Sequence, residues 1–495
     1  MMKGKVFLVG AGPGDAGLLT IKGLKVIEQA DVILYDRLIN PRLLESAPSH
    51  CEFIFCGKLP SKHTLDQDMI NEQLVLKALE GKIVVRLKGG DPGVFGRVGE
   101  EAEVLASYKI PFEIVPGITS GIAAPIYAGI PVTHRKFGVS FTIVSAHDKS
   151  EGGKPVIDWS GLVRSSETIA FYMGVSNLPY ICENLIHHGK SADTPVILIQ
   201  WGTYGRQRTL QGTLSDIVNK VKENGFQNPA ITLVGQIVSL RENIQWFEKK
   251  PFYGRQILLA RTNAGRSSIA EKLQGQGADV IEFPKWIRKK VPADTKILNQ
   301  IFSYDQILFT SSDSIDEFFD IVVSYGLDIR NIRANLYCLS NKSLETLKSR
   351  GLIACSYKNM KMEQYGKILV VGDRRVGEQR MIREIELVRH DYFQTSKVEI
   401  DEKFIPILKR MFDEASIDTV IFPNRSSVEA VMSVGEKWGF PIGEILKDAS
   451  ICGMGKGSRE RTENWGHPLD FKPMEPGIEN LINGYRDQRF NMVKI

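Results

Sequence analysis

Paired cysteines are the first thing this chain lacks. Its six cysteines (Cys51, Cys56, Cys182, Cys338, Cys355 and Cys452) form no CxxC and no histidine-linked spacing of the kind that holds zinc. Scattered thiols fit a reducing compartment, so a cytoplasmic location without a bound metal is expected. No segment approaches the roughly 18 uninterrupted apolar residues of a membrane span. The chain opens directly in a strand-like segment whose apolar run is too short for a secretory signal, so no membrane association is expected. A strong excess of one charge is missing too. The net charge of +5 is small and dispersed, which argues against nucleic acid as partner and leaves room for a small anionic substrate in a locally basic cleft. Low-complexity tracts are absent. The 495 residues exceed what one core of roughly 250–300 residues organises, so more than one domain is expected.

What is present is a steady alternation of strand-like and helix-like segments, which predicts α/β architecture with mostly parallel sheets. Residues 5–9, 32–35, 82–86 and 112–115 read as strands, and 17–29, 66–80 and 98–107 as helices, the second closing at Gly81. Pro116-Gly117 divides a first lobe (about 1–116) from a second (about 117–248) with strands near 140–144, 168–172, 195–199 and 230–234. The polar, proline-bearing stretch Glu248–Gly254 marks the main boundary, and a fresh strand opens at Gln256. Beyond it, Phe309-Thr310-Ser311-Ser312 is echoed by Phe422-Pro423-Asn424-Arg425-Ser426-Ser427. Each follows a short apolar strand and precedes a helix, which predicts two α/β lobes related by internal repetition.

The most informative loop is Lys88-Gly89-Gly90-Asp91-Pro92-Gly93-Val94-Phe95-Gly96-Arg97. It follows a strand, at the carboxyl edge where open α/β sheets hold ligands. Adjacent glycines admit backbone groups to a ligand, Asp91 adds a charged acceptor, and Phe95 and Arg97 offer a stacking face and an anion clamp. Gly10-Ala11-Gly12-Pro13-Gly14-Asp15 invites a dinucleotide reading, with Asp36 at ribose distance. The third glycine of that fingerprint is replaced by Asp15, so NAD is not expected.

Val9–Asp15 with Leu18-Leu19-Thr20, Tyr35-Asp36-Arg37-Leu38, the Lys88–Arg97 loop, Pro116–Ser120, Gly129–Arg135 and Tyr172-Met173-Gly174 occur in this order. As a set they resemble the uroporphyrinogen-III C-methyltransferases of the tetrapyrrole methylase family, over roughly residues 4–246. The resemblance implies S-adenosylmethionine in the cleft between two lobes of a homodimer, formed through this half. It assigns the cofactor to Pro13, Gly89, Gly90, Asp91, Val94, Thr119, Ser120, Met173, Gly202 and Ala230. The last two follow Ser150–Lys154, which reads as an insertion. The implied reaction is double C-methylation of uroporphyrinogen III to precorrin-2, with Asp36 as proton acceptor and Lys58 as proton donor. Ion pairing with Arg37 is the structural alternative for Asp36, a carboxylate clamp for Lys58, and a core position for Met173. Arg97, His134 and Arg135 suit the carboxylates of a tetrapyrrole substrate. His187-His188 reads as a surface pair at a helix end.

Residues 253–490, through Ala260-Arg261, Phe309–Ser312 and Tyr392–Thr395, resemble uroporphyrinogen-III synthase. That resemblance implies cyclisation of hydroxymethylbilane between a proximal lobe (about 253–286 and 397–490) and a distal lobe (about 290–393), joined by linker strands near 286–290 and 393–398. Thr310, Ser311 and Tyr392 are its expected site residues. The family's Gly-Pro-x-Thr turn is replaced by Leu339–Ser343 and by Gly453–Lys456, and Phe393 stands where a supporting tyrosine is expected. Arg374, Arg375, Arg380 and Arg383 form either a carboxylate-binding edge or a charged helix face. The expected fold is therefore α/β: a two-lobed methylase followed by a two-lobed α/β synthase with linker strands. A catalytically silent second half, or a methylase of a later precorrin, remain the alternatives.

Overall fold

Parallel strands built from short apolar runs form the centre of the first half. A computed structural model describes residues 4–57, 66–147, 153–359, 366–375, 390–467, 469–470 and 477–484. Strands β1 (Lys5–Gly10), β2 (Val32–Tyr35), β3 (Glu52–Phe55), β4 (Ile83–Lys88) and β5 (Phe112–Val115) make one sheet in the order β3-β2-β4-β1-β5. All neighbours run parallel, so the carboxyl ends of β1, β2 and β4 bring Gly10, Asp36 and Gly89 to one edge. The 82–86 pattern continues to Lys88, because Lys88 still pairs with Gly10 in the ladder. The segment expected as one helix over 17–29 is two: a 3₁₀ turn, Ala16–Leu18, and a helix, Ile21–Ile27. Asp15 caps the turn through Gly17 N–H and Thr20 caps the helix through Gly23 N–H, so each restarts the chain. Helix Gln67–Leu79 is capped by Asp66 and followed by Gly81 at φ +82°.

The second sheet is mixed. Strands β6 (Phe141–Ser145), β7 (Thr168–Tyr172), β8 (Pro195–Gln200), β9 (Arg208–Thr213) and β10 (Ala230–Val234) lie in the order β6-β7-β10-β8-β9. Only β6 and β7 run parallel. The two strands that the pattern did not predict, β3 and β9, are sheet edges with largely unburied side chains, where the apolar signal is weak.

Two further sheets follow. Strands β11 (Gln256–Ala260), β12 (Asp279–Phe283), β19 (Thr419–Phe422) and β20 (Ser450–Gly453) form a parallel sheet ordered β12-β11-β19-β20. The other holds β13 (Trp286–Lys290), β14 (Gln306–Phe309), β15 (Asn335–Cys338), β16 (Cys355–Ser356), β17 (Ile368–Arg375) and β18 (His390–Ile400), ordered β13-β18-β17-β14-β15-β16. β13 and β18 are the segments that connect the two sheets; they pair antiparallel, with Trp286 opposite Ile400 and Lys290 opposite Ser396. The serine echo in the sequence proves fourfold. Ser314, Ser343, Ser427 and Ser458 are fully buried at the third position of a helix, each bonded back to its cap, Ser311, Ser340, Asn424 or Gly455.

The halves share one buried apolar cluster that joins Val9, Ile33 and Leu44 to Leu258, Phe283 and Leu408. Lys285 pairs with Glu45 at 2.6 Å, and Lys403 donates to the Cys51 carbonyl at 3.2 Å. Among the described residues, no helix is long and apolar enough to cross a membrane.

Candidate active site between the first two sheets

A cavity of about 750 Å³ opens at the carboxyl edge of the first sheet, facing the second, a size suited to a small-molecule ligand. Two glycine turns meet at its floor. Gly12 and Gly90 exchange backbone hydrogen bonds of 3.1 and 2.7 Å, and Gly90 has φ +71°, with a Cβ there falling 3.8 Å from the Thr119 backbone. Gly202, on the opposite wall, lies so close to helix Ser120–Tyr127 that a Cβ there would stand 2.3 Å from that of Ala124. The Gly202 contact leaves no room for a side chain, while the positive φ of Gly12 and Gly90 favours glycine there.

All ten residues expected at the cofactor (Pro13, Gly89, Gly90, Asp91, Val94, Thr119, Ser120, Met173, Gly202 and Ala230) line this one cavity, with Asp36 and Arg97. Met173 is 44% exposed and has φ +56°, so the core-methionine alternative is overturned. Asp91 does more local work than expected: its two oxygens accept the N–H groups of Gly93 and Gly117 at 2.7 and 2.8 Å, which fixes the loop. Arg97 is engaged by Glu100 at 2.8 Å. Tyr172 is anchored within the second lobe, its hydroxyl accepting from Gly121 N–H at 2.5 Å, and meets the first lobe through its ring, edge-on to Phe95 at 5.2 Å. Asp15, the residue that broke the dinucleotide fingerprint, also spans the lobes. Its N–H donates to Thr203 Oγ1 at 2.9 Å and its carboxylate accepts from Tyr127 at 2.7 Å.

Asp36 is held by Arg86, Nη2 to Oδ1 at 2.6 Å, so pairing with Arg37 is corrected; Arg37 instead reaches Glu414 at 3.0 Å. Beneath Asp36 lies a network that the motifs did not reveal. Arg86, Lys88 and Glu101 are all buried, and Glu101 Oε1 accepts from Lys88 at 2.7 Å and Arg86 at 3.2 Å. Burial opposes the Arg86 charge, but the carboxylates of Asp36 and Glu101 outweigh it and raise the pKa. Lys88 goes the other way: burial, then the neighbouring guanidinium, lowers its pKa. The available signal was a lone arginine inside the apolar strand Ile83-Val84-Val85-Arg86-Leu87. Cys56 also lines the cavity, but burial pushes its thiol up to about 11, so it stays protonated at neutral pH.

His134 and Arg135 are not brought to the cavity. His134 closes a tight turn by bridging Gly138, and its Nδ1 accepts from Lys136 N–H at 3.1 Å, while Arg135 is exposed. Locally the histidine serves the turn, and neither residue is among those lining the cleft. Lys58, Arg380 and Arg383 lie outside the described residues, as do the side chains of Arg374 and Arg375. His187 and His188 pack edge to face at the end of helix Leu178–His187. No group of three or more candidate metal ligands occurs among the described residues.

In the second half, Thr310 and Tyr392 converge on Gly372, where a Cβ would lie 2.1 Å from Thr310 Oγ1 and 3.0 Å from Tyr392 Oη. Ser311 caps the adjoining helix. Phe393 alternates to the opposite face and is fully buried against Phe318, ring centroids 5.7 Å apart. A second cavity, of about 800 Å³, lies between the halves, lined by Arg266, Trp286 and Arg288 from one and Arg42 and Ser49 from the other.

A parallel and a mixed five-stranded sheet, with glycine cradles and a buried charge network around the cleft between them, define a two-lobed α/β ligand-binding class. The family model of tetrapyrrole (corrin/porphyrin) methylases matches residues 5–218. A uroporphyrinogen-III C-methyltransferase of Bacillus subtilis (strain 168) is 48% identical over 456 residues, 91% of this chain and 92% of that protein. One from Priestia megaterium is 59% identical over 236 residues, 48% of this chain and 99% of that protein. The solved uroporphyrin-III C-methyl transferase of Thermus thermophilus, complexed with S-adenyl homocysteine, is 36% identical, covering 48% of this chain and all (100%) of that one, with TM-score 0.41. The chain belongs to the tetrapyrrole methylase family, whose methyl donor is S-adenosylmethionine.

Proposed function

We propose that the first half is a uroporphyrinogen-III C-methyltransferase that binds S-adenosylmethionine in the 750 Å³ cleft and converts uroporphyrinogen III to precorrin-2. The observation that carries this reading is the convergence of the ten cofactor positions and Asp36 on one cavity. When bound, the cofactor supplies an electrophilic methyl group. The chain's own work is to hold an electron-rich pyrrole carbon in line with it and to remove a ring proton after the bond forms. Gly89, Gly90 and Gly202 offer backbone groups, Met173 an apolar face, and Thr119, whose Oγ1 is 2.6 Å from the Tyr172 hydroxyl, an oriented polar one. Asp36 takes the proton; Arg86 fixes its rotamer from beneath. Lys58 is the proposed proton donor, and the buried amine of Lys88 stands behind the same wall. Arg97 faces a substrate carboxylate.

The protein acts as a homodimer through this half. Ile118, Ile122 and Ile126 form an exposed stripe at helical spacing beside the exposed Trp246, whose indole donates to the Ile126 carbonyl at 3.1 Å. The second half, over residues 253–490, is a uroporphyrinogen-III synthase, with Thr310, Ser311 and Tyr392 at its site. Two α/β lobes connected by the antiparallel strands β13 and β18 support this reading. The cytoplasm is its proposed location. One experiment tests both halves separately. Uroporphyrinogen III with S-adenosylmethionine should gain two methyl groups by mass, and hydroxymethylbilane alone should give the type III isomer. An unmethylated product removes the first assignment; only the type I isomer leaves the second half catalytically silent.

A further inference from the structure

Arg410 lies on helix Ile405–Glu414 at the junction of the halves and is only 9% exposed. Its guanidinium sits over two rings of the first half, 4.7 Å from the centroid of Phe55 and 5.5 Å from that of Tyr35. It makes no ion pair or hydrogen bond among the described residues, and its buried Nη1 has no acceptor. Ring faces offset only part of the cost of removing a guanidinium from water, so a buried cation of this kind needs an anion. Beside it is a cavity of about 40 Å³, larger than a single water needs and too small for a whole metabolite. Arg37, Arg42 and Arg206 also line it, against the carboxylates of Asp279 and Glu414. Both carboxylates are already engaged, Glu414 by Arg37 at 3.0 Å and Asp279 by Arg206 at 3.2 Å. The lining is left with more positive than negative charge and one guanidinium unanswered.

We propose that this interface cavity is a carboxylate site, with Arg410 as its main ligand and Arg37 and Arg206 at its rim. The carboxylate has two possible sources. The cavity shares Arg37, Trp201 and Tyr204 with the larger cleft, so an acidic arm of a substrate seated there has a short route in; that source rests on the methyltransferase reading. A free small carboxylate is the other, and it stands without that reading. In both cases the second half contributes a ligand-binding side chain next to the first half's cleft.

The test uses the full chain, its Arg410→Met and Arg410→Lys variants, uroporphyrinogen III as substrate, and acetate as the free probe at constant ionic strength. If the substrate's arm is the occupant, Arg410→Met raises KM about tenfold or more, far beyond its effect on kcat, as expected for loss of a charge-assisted hydrogen bond; Arg410→Lys is intermediate. If a free anion is the occupant, acetate raises the Tm of the unmodified chain and Arg410→Met abolishes that rise. A folded Arg410→Met variant with unchanged KM and an unchanged acetate response overturns the proposal. Should the variants not fold, crystals of the unmodified chain grown in acetate decide: density for a carboxylate against Arg410 supports the site, and a cavity holding only water overturns it. An unmodified chain that responds to acetate but methylates nothing would remove the methyltransferase reading and leave the site standing.

Discussion

The two halves solve the problem of holding a ligand differently. Every non-glycine residue with positive φ among those described (Phe95, Arg97, Lys109, Met173, Trp201 and Thr203) lies in the first half, and four of the six line its cleft. Under the same cleft sit the buried charges of Arg86, Lys88 and Glu101. Backbone held in sparsely populated conformations and charge removed from water both cost stability, and they persist where the surrounding structure fixes reacting groups in place. In the second half the described non-glycine backbone stays in ordinary regions; it too buries charges, at Arg261, Glu282 and Arg410, but its recurring polar device is a buried serine that caps a helix. Strained backbone and buried charge together mark the cleft for which we propose methyl transfer to carbon. Helix starts recur in the other half, for which we propose the folding-up of a flexible polyanion.

The largest effect should come from Asp36→Asn. Methyl transfer should fall by about 10²–10⁴-fold while S-adenosylhomocysteine still binds, because the proton acceptor is lost and the cradle is not; an unchanged turnover number would make Asp36 a structural partner of Arg86. Phe393→Ala probes the other half. Emptying a fully buried phenyl position should cost about 3–5 kcal/mol in denaturant unfolding, with isomer selectivity per folded molecule retained, since Tyr392 and not Phe393 faces Thr310. A selective loss of the type III isomer at full folding would contradict that division. Gly202→Val should weaken S-adenosylhomocysteine binding by about ten- to a hundredfold, the scale of about 1–3 kcal/mol of overpacking, and leave bilane cyclisation intact. Calorimetry on the variant checks it.

The smallest effect concerns pH. Burial pushes the thiols of Cys51 and Cys182 up to about 12 and that of Cys56 up to about 11, from an ordinary 9.0. Between pH 9 and 11 the unfolded chain therefore releases protons that the folded chain retains. Stability from these groups is fully present below pH 9 and declines as pH rises through that window. Denaturation midpoints measured across it should fall, and a flat profile would mean that the thiols are hydrated.

Much of the first half was legible because its parallel strands are short apolar runs and its ligand loops begin where those runs end. The positions expected to hold the cofactor fall near strand ends, which sequence locates well, and so come together on one cavity. What escaped was set by tertiary contact. Asp15 looked like a spoiled glycine motif, yet it caps a turn and joins the lobes through Thr203 and Tyr127. Asp36 seemed to belong with its neighbour Arg37, whereas the chain leaves β2 at Tyr35 and turns, sending Arg37 to Glu414, and Arg86 on the neighbouring strand β4 is the partner of Asp36. His134 was chosen for its chemistry, and its place in a tight turn outside the cleft was not visible in the sequence. In the second half the serine echo was visible twice and recurs four times, since the other two caps, Ser340 and Gly455, sit in unrelated local sequences.

The division of labour between the halves is tested most directly by supplying the full chain with hydroxymethylbilane and S-adenosylmethionine together and identifying the product by chromatography and mass. A type III macrocycle carrying two added methyl groups is the predicted result. Recovery of unmethylated macrocycle, of either isomer, from a folded protein that binds S-adenosylhomocysteine would contradict it.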